Sequence, residues 1–247
     1  MEFDMKQLSK IFVLVLFLLF ISCKNKDYKV GDIVLDDGSV LSVEQLENYS
    51  GQAKPMALIF SVTGGYSEDS SRVLGVGLKV SDPAAFSPEG SKAIDTNIRE
   101  NHIIIAAQEY NITEGKYNNL GLYGLLDGRN TWKNVSKYDD KARKSFKDYP
   151  AYDYAVNYGI NNNYKKYKNG WYLPTASEAY VLAENMKELQ PVFEQSGVTE
   201  MPLYIWTSSQ CYDGQNNEYV VNLFDAGIEN SFKEMKYNVL SIYCFAD

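Results

Sequence analysis

The residues of this chain that could do covalent or metal chemistry are few and far apart. There are three cysteines, Cys23, Cys211 and Cys244, and a single histidine, His102. A structural zinc ion takes four sulfur or nitrogen ligands, which this set does not supply at close spacing. Serine and acidic residues are plentiful, but the usual hydrolytic triad needs an imidazole base beside its nucleophile. We therefore predict no metal site, no cofactor and no catalytic residue.

Short motifs for nucleotide or hydrolase chemistry are missing as well. The stretches GGYSEDSS, which begins at Gly64, and LGVGL, which begins at Leu74, contain glycines but lack the spacing and flanking residues of a phosphate-binding loop. Neither a GxSxG elbow nor an HExxH helix is found in the sequence. The sequence indicates a protein that is not an enzyme.

Composition and charge narrow the possible partners. The chain has 247 residues, 45% of them hydrophobic, and carries a net charge of -8. This length and apolar content are enough to build one sizeable core or two small ones. The acidic balance repels the phosphates of nucleic acids, so nucleic acid is excluded as a partner. The 20 tyrosines supply both core area and amphipathic contact surface.

The first residues read as an export signal rather than part of the fold. A short basic region is followed by the apolar run IFVLVLFLLFIS, whose 12 residues are too few to span a bilayer as a helix. The run ends in FISC, Phe20–Cys23, which resembles the lipobox of bacterial lipoproteins, with Phe20 where leucine is usual. The alternative is an ordinary signal peptide that happens to contain a cysteine.

The lipobox resemblance predicts how the chain is anchored. Residues 1–22 would be the signal peptide, Cys23 would be acylated, with palmitate among its chains, and residues 23–29 would form a tether. Several acyl chains on one residue hold a protein stably, because each buried methylene contributes about 0.8 kcal/mol. We therefore expect a lipoprotein of the cell envelope, anchored in the outer membrane, whose partner at this end is the lipid bilayer.

Export also changes how the other two cysteines are interpreted. In an oxidising compartment Cys211 and Cys244 could form a disulfide. The bridge would close a loop of about thirty residues and contribute roughly 3 kcal/mol. Two buried free thiols are the alternative, and sequence alone does not decide between them.

The first third of the mature chain has the alternation and turn residues of β-structure. VGDIVL and SVLSV flank Asp36–Gly38 and predict a hairpin. Apolar strands are predicted at Ala57–Val62 and at Arg72–Val80. The structure of residues 81–120 stays open: SDPAAFSPEGS is loop-like, and SKAIDTNIRENHIIIAAQEYN fits a helix, a helix followed by a strand, or neither.

Helix signals are clear after Pro150. The segment AYDYAVNYG predicts a helix that ends at Gly159. A strand-like WYL precedes Pro174, and Thr175 with Glu178 forms a capping box for a second helix. Its apolar positions recur at helical spacing, and Pro191 is expected to end it. The positions are Ala179, Leu182, Ala183, Met186 and Leu189.

Short strands joined by polar segments follow. PLYIWTSSQ, NEYVVNLF and KYNVLSIYCF predict strands, and CYDGQNN and DAGIENSFKEM predict polar connections. Loops held by a rigid scaffold are common binding sites, and tyrosine with asparagine suits recognition. The candidate ligand-binding residues in these connections are Tyr212, Asp213, Gln215, Asn216, Asn217, Glu229, Asn230, Lys233 and Tyr237. The alternative is that these are ordinary solvated turns.

A series of motifs resembles one bacterial domain family. DGRNTW, YPAYDYAVNYG, GWYLPTASEAY, YIWTSSQ, EYVVNLFDAG and VLSIYCF follow one another in the order seen in the family called DUF1566 or Lcl C-terminal. The resemblance extends to treponeme-like spirochaete lipoproteins. It implies an α+β, C-type lectin-like fold over residues 30–247, with two helices packed on small antiparallel sheets and an N-terminal β-hairpin extension. It also implies that Trp171 and Leu173 enter the core and that Trp206 is a core or rim anchor.

Two activities associated with related folds are disfavoured. The Glu-Pro-Asn and Trp-Asn-Asp motifs of calcium-dependent lectins are missing, and Asp127 with Asn130 in DGRNTW is more simply a turn than a calcium site. GWYLPT is also similar to a stretch of formylglycine-generating enzymes, which use two neighbouring cysteines. Here Cys211 and Cys244 are 33 positions apart, so an oxidase of that kind is the less favoured alternative.

These features together predict a ligand-binding lipoprotein. We expect an adhesin-like module that recognises a host or surface protein or a glycan without the usual lectin calcium site. A lectin-like fold does not by itself imply sugar binding, because function belongs to sites. The competing interpretation is a structural lipoprotein that faces the periplasm and has no external ligand.

Overall fold

The computed structural model describes residues 27–63, 72–89, 127–139, 146, 148–211 and 216–246, with the backbone alone at Tyr138. It also gives the backbone of four short strands, β6 to β9, between residues 104 and 123. In chain order, the strands are β1 (Ile33–Leu35), β2 (Val40–Leu41), β3 (Pro55–Ser61), β4 (Val73–Gly77), β5 (Ala84–Ala85), β6 (Ile104–Ile105), β7 (Glu109–Asn111), β8 (Lys116–Asn118), β9 (Leu122–Tyr123), β10 (Tyr204–Gln210), β11 (Asn217–Asn222), β12 (Ile228–Phe232), β13 (Lys236–Tyr237) and β14 (Ile242–Ala246). The helices are α1 (Val43–Leu46), α2 (Thr131–Tyr138), α3 (Pro150–Asn161) and α4 (Ala176–Gln195), with a 3-10 turn at Gly128–Asn130.

The larger sheet joins the two ends of the described chain. Its five antiparallel strands run in the order β14-β4-β3-β1-β2, so the last strand pairs with one from the first third. Side chains of alternate residues enter different cores: Leu58 and Phe60 point to one face, and Ala57 and Ile59 to the other. Because both faces are covered, β3 and β4 read as continuous apolar runs.

The smaller sheet and helix α4 close the main core. Strands β10, β11 and β12 form an antiparallel sheet in that order. The buried stripe of α4 packs in one cluster with residues of both sheets, among them Leu74 and Val221. Helix α4 therefore sits between the sheets and holds them together through apolar burial.

The predicted N-terminal signals of α4 are confirmed, but its predicted end is wrong. The Thr175 Oγ1 accepts a hydrogen bond from the Glu178 backbone N–H at 3.2 Å, and the Glu178 carboxylate accepts one from the Thr175 N–H at 3.0 Å. The helix continues through Pro191 to Gln195. Beyond the proline, Val192 and Phe193 are buried in the main core, and their burial favours continuation of the helix.

Gly159 was expected to end helix α3 and instead lies inside it. The helix runs on to Asn161, and a Cβ atom at Gly159 would overlap the carbonyl oxygens of Tyr167 and Lys168 and the indole nitrogen of Trp171. The glycine is therefore needed for close packing of the following loop against the helix. Its backbone is helical, so a left-handed cap is not the reason for it.

The hairpin and the apolar strands of the first third are confirmed, and two predictions farther along are corrected. The segment DAGIENSFKEM, expected to be a polar connection, contains strand β12 at the edge of the smaller sheet. WYL is not a full strand, because it is held only by a bridge between Tyr172 and Ile242. A polar exposed edge strand has the composition of a loop, which explains the first error.

Three consecutive residues of GWYLPT enter three different cores. Trp171 packs with tyrosines on the outer face of the larger sheet, Tyr172 joins the main core, and Leu173 joins a third cluster with Trp206. Both tryptophans and Leu173 are at most 2% exposed, so their predicted burial is confirmed. GWYLPT therefore connects the three cores.

The protein is mixed α+β with small antiparallel sheets. None of the helices in the described residues is long and apolar enough to cross a membrane.

Candidate functional site

An open cleft of about 600 Å³ lies where three segments of the chain converge. The segments are the 3-10 turn with the start of α2, the middle of α3, and the GWYL stretch before α4. The lining residues are Gly128, Arg129, Asn130, Thr131, Trp132, Lys133, Tyr152, Val156, Gly170, Trp171, Tyr172 and Leu173. Its floor is buried and aromatic, whereas its wall on the α2 side carries polar and charged groups.

The turn that forms this wall is organised by Asp127. The Asp127 carboxylate caps the turn by accepting from the Arg129 N–H at 3.0 Å, and it also accepts from the Arg129 guanidinium at 2.7 and 2.9 Å. Burial alone would raise the pKa of Asp127, but the Arg129 hydrogen bonds and the Arg72 charge hold that pKa below its usual value. The carboxylate therefore stays ionised, and its oxygens face cations of the protein itself.

DGRNTW is thus a turn, as the sequence indicated. Asn130 Oδ1 accepts a hydrogen bond from Lys133 Nζ at 3.0 Å, so it too faces a cation. Within the described residues, no group of three or more histidine, cysteine or acidic side chains could hold a metal ion.

A buried ion pair supports the floor of the cleft. The Arg72 guanidinium donates to Glu178 at 2.7 Å and to the Tyr172 hydroxyl at 3.3 Å, and the Tyr172 hydroxyl donates to Glu178 at 3.0 Å. The Glu178 carboxylate also accepts from the Gly128 N–H at 3.2 Å. One carboxylate therefore connects the start of α4, the GWYL stretch, strand β4 and the turn of the cleft wall.

This ion pair was missed at the level of sequence. Arg72 was taken as the start of an apolar strand, and Glu178 was recognised only as part of the capping box. Burial raises the pKa of Glu178, an effect that the Thr175 N–H and the Arg72 charge oppose. An arginine directly before an apolar strand indicates a buried charge that needs a partner. The sequence does not show that this partner is Glu178, 106 positions away.

The aromatic part of the wall is held rigidly. The Trp132 ring is stacked on Phe146 with centroids 4.3 Å apart, and it meets Tyr149 edge-on at 5.5 Å and Tyr152 at 5.1 Å. Trp132 remains partly exposed and lines the cleft. An aromatic side chain fixed in this way offers contact area at low entropic cost to a bound ligand.

The structure disperses the ligand-binding residues that the sequence predicted. Tyr212, Asp213 and Gln215 lie outside the described residues. Asn216 is exposed and Asn217 half-buried at the start of β11; Glu229 and Asn230 are exposed on β12.

Tyr237 is half-buried against the aromatic core. Its ring meets Trp206 at 5.0 Å and Tyr204 at 5.8 Å, and its hydroxyl is 3.1 Å from Ser231 Oγ. These contacts give it a packing role in the smaller sheet. Of the predicted residues that the structure describes, none lines the cleft.

Lys233 is a correction to the prediction. Its side chain is fully buried, with Nζ 5.9 Å from the centre of the Phe86 ring, so it does not belong to an exposed surface. Glu218, on the central strand β11, is also buried. Burial raises the pKa of Glu218 to about 8, even though the Lys233 charge acts in the opposite direction. Lys233 directly follows β12. The surrounding sequence is polar, so its pattern gave no sign that this side chain is buried.

The possible disulfide is not formed. Cys211 and Cys244 are thiols outside any disulfide, the first buried and the second partly exposed. Cys211 follows β10 of the smaller sheet, whereas Cys244 lies in β14 at the edge of the larger sheet. Cys23 and His102 lie outside the described residues.

Comparison with known proteins gives a likeness in fold. Neither the comparison with protein families nor that with curated proteins produced a match. Among solved structures, the chain is similar to a fimbrial protein from Bacteroides ovatus, with a TM-score of 0.53 and 15% identity. The similarity covers 87% of this chain and 48% of the other, so this chain spans about half the length of that protein. At this identity the likeness concerns the fold alone.

Proposed function

We propose that this protein is an envelope-anchored, non-catalytic recognition module that binds a glycan or a surface protein through the cleft beside α2. The cleft carries the proposal: a partly exposed, rigidly packed tryptophan stands among hydrogen-bonding side chains above an aromatic floor. Concave sites of this kind, mostly apolar with a few placed polar groups, are the usual form of small-ligand sites.

The chemistry of the wall suits carbohydrate or a polar peptide. Trp132 supplies a ring for the apolar face of a sugar or for an aromatic side chain. Asn130 supplies an amide, and Lys133 and Arg129 supply charged donors that bind hydroxyl or carboxylate oxygens. Arg129 and Asn130 lie in the 3-10 turn, Lys133 lies in α2, and Trp132 packs against Tyr152 of α3. Because these elements fix the groups, little conformational entropy is lost when a ligand binds.

Two further observations support display at the cell surface. The FISC stretch at Cys23 resembles a lipobox, which would tether the domain to the outer membrane. One solved structure with a similar fold is that of a fimbrial protein. We further propose that the domain is a C-type lectin-like variant of the DUF1566 kind, in keeping with the order of its motifs.

Binding of the mature full-length chain to a glycan array and to a panel of surface glycoproteins tests the proposal. Trp132→Ala should abolish binding to any ligand that is found, and Asn130→Ala should weaken it. Asn130 is exposed, so its variant keeps the test valid if Trp132→Ala fails to fold. Tyr237→Ala is the comparison variant, since it probes the connections first expected to bind. Unchanged binding by both cleft variants would refute the cleft as the site.

Exposure on the cell distinguishes recognition of an external ligand from a structural role. Protease treatment of intact cells should remove a surface-displayed module. If the protein survives until the envelope is broken, it faces the periplasm and the adhesin-like role is wrong.

A further inference from the structure

Strand β12 lies at an open edge of the smaller sheet. β11 is its neighbour on one side, and among the residues that the structure describes no strand pairs with its other side. The opposite edge of the sheet is covered, because Ile205 forms a bridge to Asn238 and the Trp206 N–H donates to the Asn238 carbonyl at 3.0 Å. An open edge presents unpaired N–H and C=O groups to another strand. β12 is therefore the edge at which this sheet can be extended.

The register of β11 and β12 shows which backbone groups face the open edge. The Lys233 N–H donates to the Asn216 carbonyl at 2.9 Å, and the Asn222 N–H donates to the Gly227 carbonyl at 2.8 Å. Hydrogen-bonded residues alternate with non-bonded ones along an antiparallel pair. Between these two bonds, every second residue of β12 is therefore bonded to β11. The N–H and C=O groups of the other three point to the open edge: Ile228, Asn230 and Phe232.

This edge lacks the features that usually prevent pairing between molecules. Natural edge strands carry lysine, proline or a β-bulge. β12 contains neither residue, and its five pairs with β11 are in regular register. Its one charged side chain, Glu229, is directed back over the sheet, because it accepts a hydrogen bond from the Tyr204 hydroxyl of β10 at 2.9 Å. The Phe232 side chain is 58% exposed, so apolar surface accompanies the backbone groups of the edge.

The edge of β12 is complementary to itself when two copies are related by a two-fold axis through Asn230. In that antiparallel register Asn230 lies opposite Asn230 of the second copy, and Phe232 lies opposite Ile228. The three residues that point to the open edge then face one another, and each such pair exchanges two hydrogen bonds. Glu229 lies opposite Ser231. Centring the axis on Glu229 would instead place two carboxylates directly opposite each other, which is destabilising.

We propose that two copies of this chain pair through β12 and join their smaller sheets into one continuous sheet. A single strand pair buries less than the roughly 1,200 Å² of a stable interface. Two copies that each carry a charge of -8 also repel each other. The pairing is therefore weak in dilute solution, and it tightens as salt screens the repulsion. Self-association goes beyond the proposed function and does not depend on the cleft.

Sedimentation equilibrium measures the affinity of the pairing. The starting protein is the full mature chain with Cys23→Ser, which cannot be acylated, and it should show a monomer–dimer equilibrium that tightens with salt. Asn230→Pro removes an N–H that faces the open edge and leaves the hydrogen bonds to β11 intact, so Kd should rise at least about tenfold. Asn230→Lys places two ammonium groups opposite each other and should have the same effect if the proline variant fails to fold. Gln190→Lys, exposed on α4, is the matched control.

Cysteine crosslinking of the same protein tests the register. Opposite residues of a hydrogen-bonded pair have Cα atoms about 5.5 Å apart, a separation that a disulfide spans. Asn230→Cys should therefore give a covalent dimer under mild oxidation. Glu229→Cys should not, because Glu229 lies opposite Ser231, but a mixture of Glu229→Cys and Ser231→Cys chains should crosslink. Lys187→Cys, exposed on α4, measures random collisions, and the starting protein gives the background.

The outcomes separate this inference from the proposed function. A chain that stays monomeric at every concentration and salt, or a dimer that both Asn230 variants leave intact, would overturn the inference. Crosslinking of Glu229→Cys alone to the level of Asn230→Cys would also overturn it. So would a monomer that binds an extended peptide of unrelated sequence at this edge, since the occupant would then be another protein. Trp132→Ala should leave self-association unchanged, and Asn230→Pro should leave ligand binding by the cleft unchanged.

Discussion

The guanidinium of Arg72 lies 2.7 Å from the carboxylate of Glu178, and each side chain is only 1% exposed. Removing one member of such a pair leaves the other charge buried without compensation. We expect Arg72→Met to lower the free energy of unfolding by about 3–5 kcal/mol. The double variant Arg72→Met with Glu178→Gln should lose less than the sum of the single losses, because neither charge remains.

Urea unfolding of the four proteins gives this double-mutant cycle. Arg129→Met is the matched control, since its pair with Asp127 is about one-third exposed and should be worth no more than about 1 kcal/mol. Additive losses for Arg72 and Glu178 would show that the two side chains do not interact.

Glu218 makes stability depend on pH. Its pKa is raised from 4.5 to about 8 by burial, so the folded chain holds this proton more tightly than the unfolded chain. The stabilisation that protonated Glu218 contributes is fully present below the pKa of the unfolded state. It is lost as pH rises towards the pKa of the folded state. Glu218→Gln should therefore gain stability relative to the wild type between about pH 4.5 and 8, by at most about 1.4 kcal/mol per pH unit.

Unfolding free energies of wild type and Glu218→Gln at several pH values check this slope. Glu188→Gln makes the same charge change at an exposed position of α4 and is the control. A constant difference between Glu218→Gln and wild type across this range would contradict the expected linkage.

Gly159→Ala should destabilise the protein, although alanine is the better helix former. In an exposed helix the substitution gains about 1 kcal/mol. Here the new Cβ would overlap Tyr167 and Lys168 carbonyl oxygens, and overpacking of this kind costs about 1–3 kcal/mol. Thermal unfolding measures the net effect. Asn161→Ala, exposed at the end of the same helix, should change stability by no more than about 0.5 kcal/mol. A rise in Tm for Gly159→Ala would mean that the loop does not pack against this face.

Pro191→Ala should stabilise the protein, because α4 continues past the proline. Proline in a helix interior is about 3 kcal/mol less favourable than alanine. Proline also reduces the conformational entropy of the unfolded chain, which stabilises the wild type by up to about 1 kcal/mol and offsets part of that difference. We expect a gain of about 1–2 kcal/mol in urea unfolding. Lys187→Ala, exposed one turn earlier, should have little effect. Loss of stability in Pro191→Ala would indicate that the helix ends at the proline, as the sequence alone suggested.

Local signals were interpreted correctly wherever the physical cause is local. The capping box of Thr175 and Glu178 is satisfied within one helical turn, and apolar runs such as Ala57–Val62 form strands because nearly every residue is buried. The errors at Gly159 and Pro191 arose because the outcome depends on what packs against the helix, whereas β12 was missed because a polar edge strand has the composition of a loop. The ligand-binding role of the polar connections near the C-terminus stays a prediction, whereas the cleft beside α2 could not be predicted because its lining comes from three separate segments.

The sequence by itself determined the start of α4 and the apolar strands of the first third, because these follow from period and from neighbours along the chain. The burial of Trp171, Leu173 and Trp206 was implied by the resemblance of their motifs to a known family. Only the tertiary structure decided that Arg72 meets Glu178, that Lys233 turns inward, and that Trp132 and Lys133 share a cleft with GWYL. Those relationships join segments tens of residues apart. They arise because three apolar clusters meet at the GWYL stretch. A pattern of neighbouring residues in the sequence does not show which distant segments form these clusters.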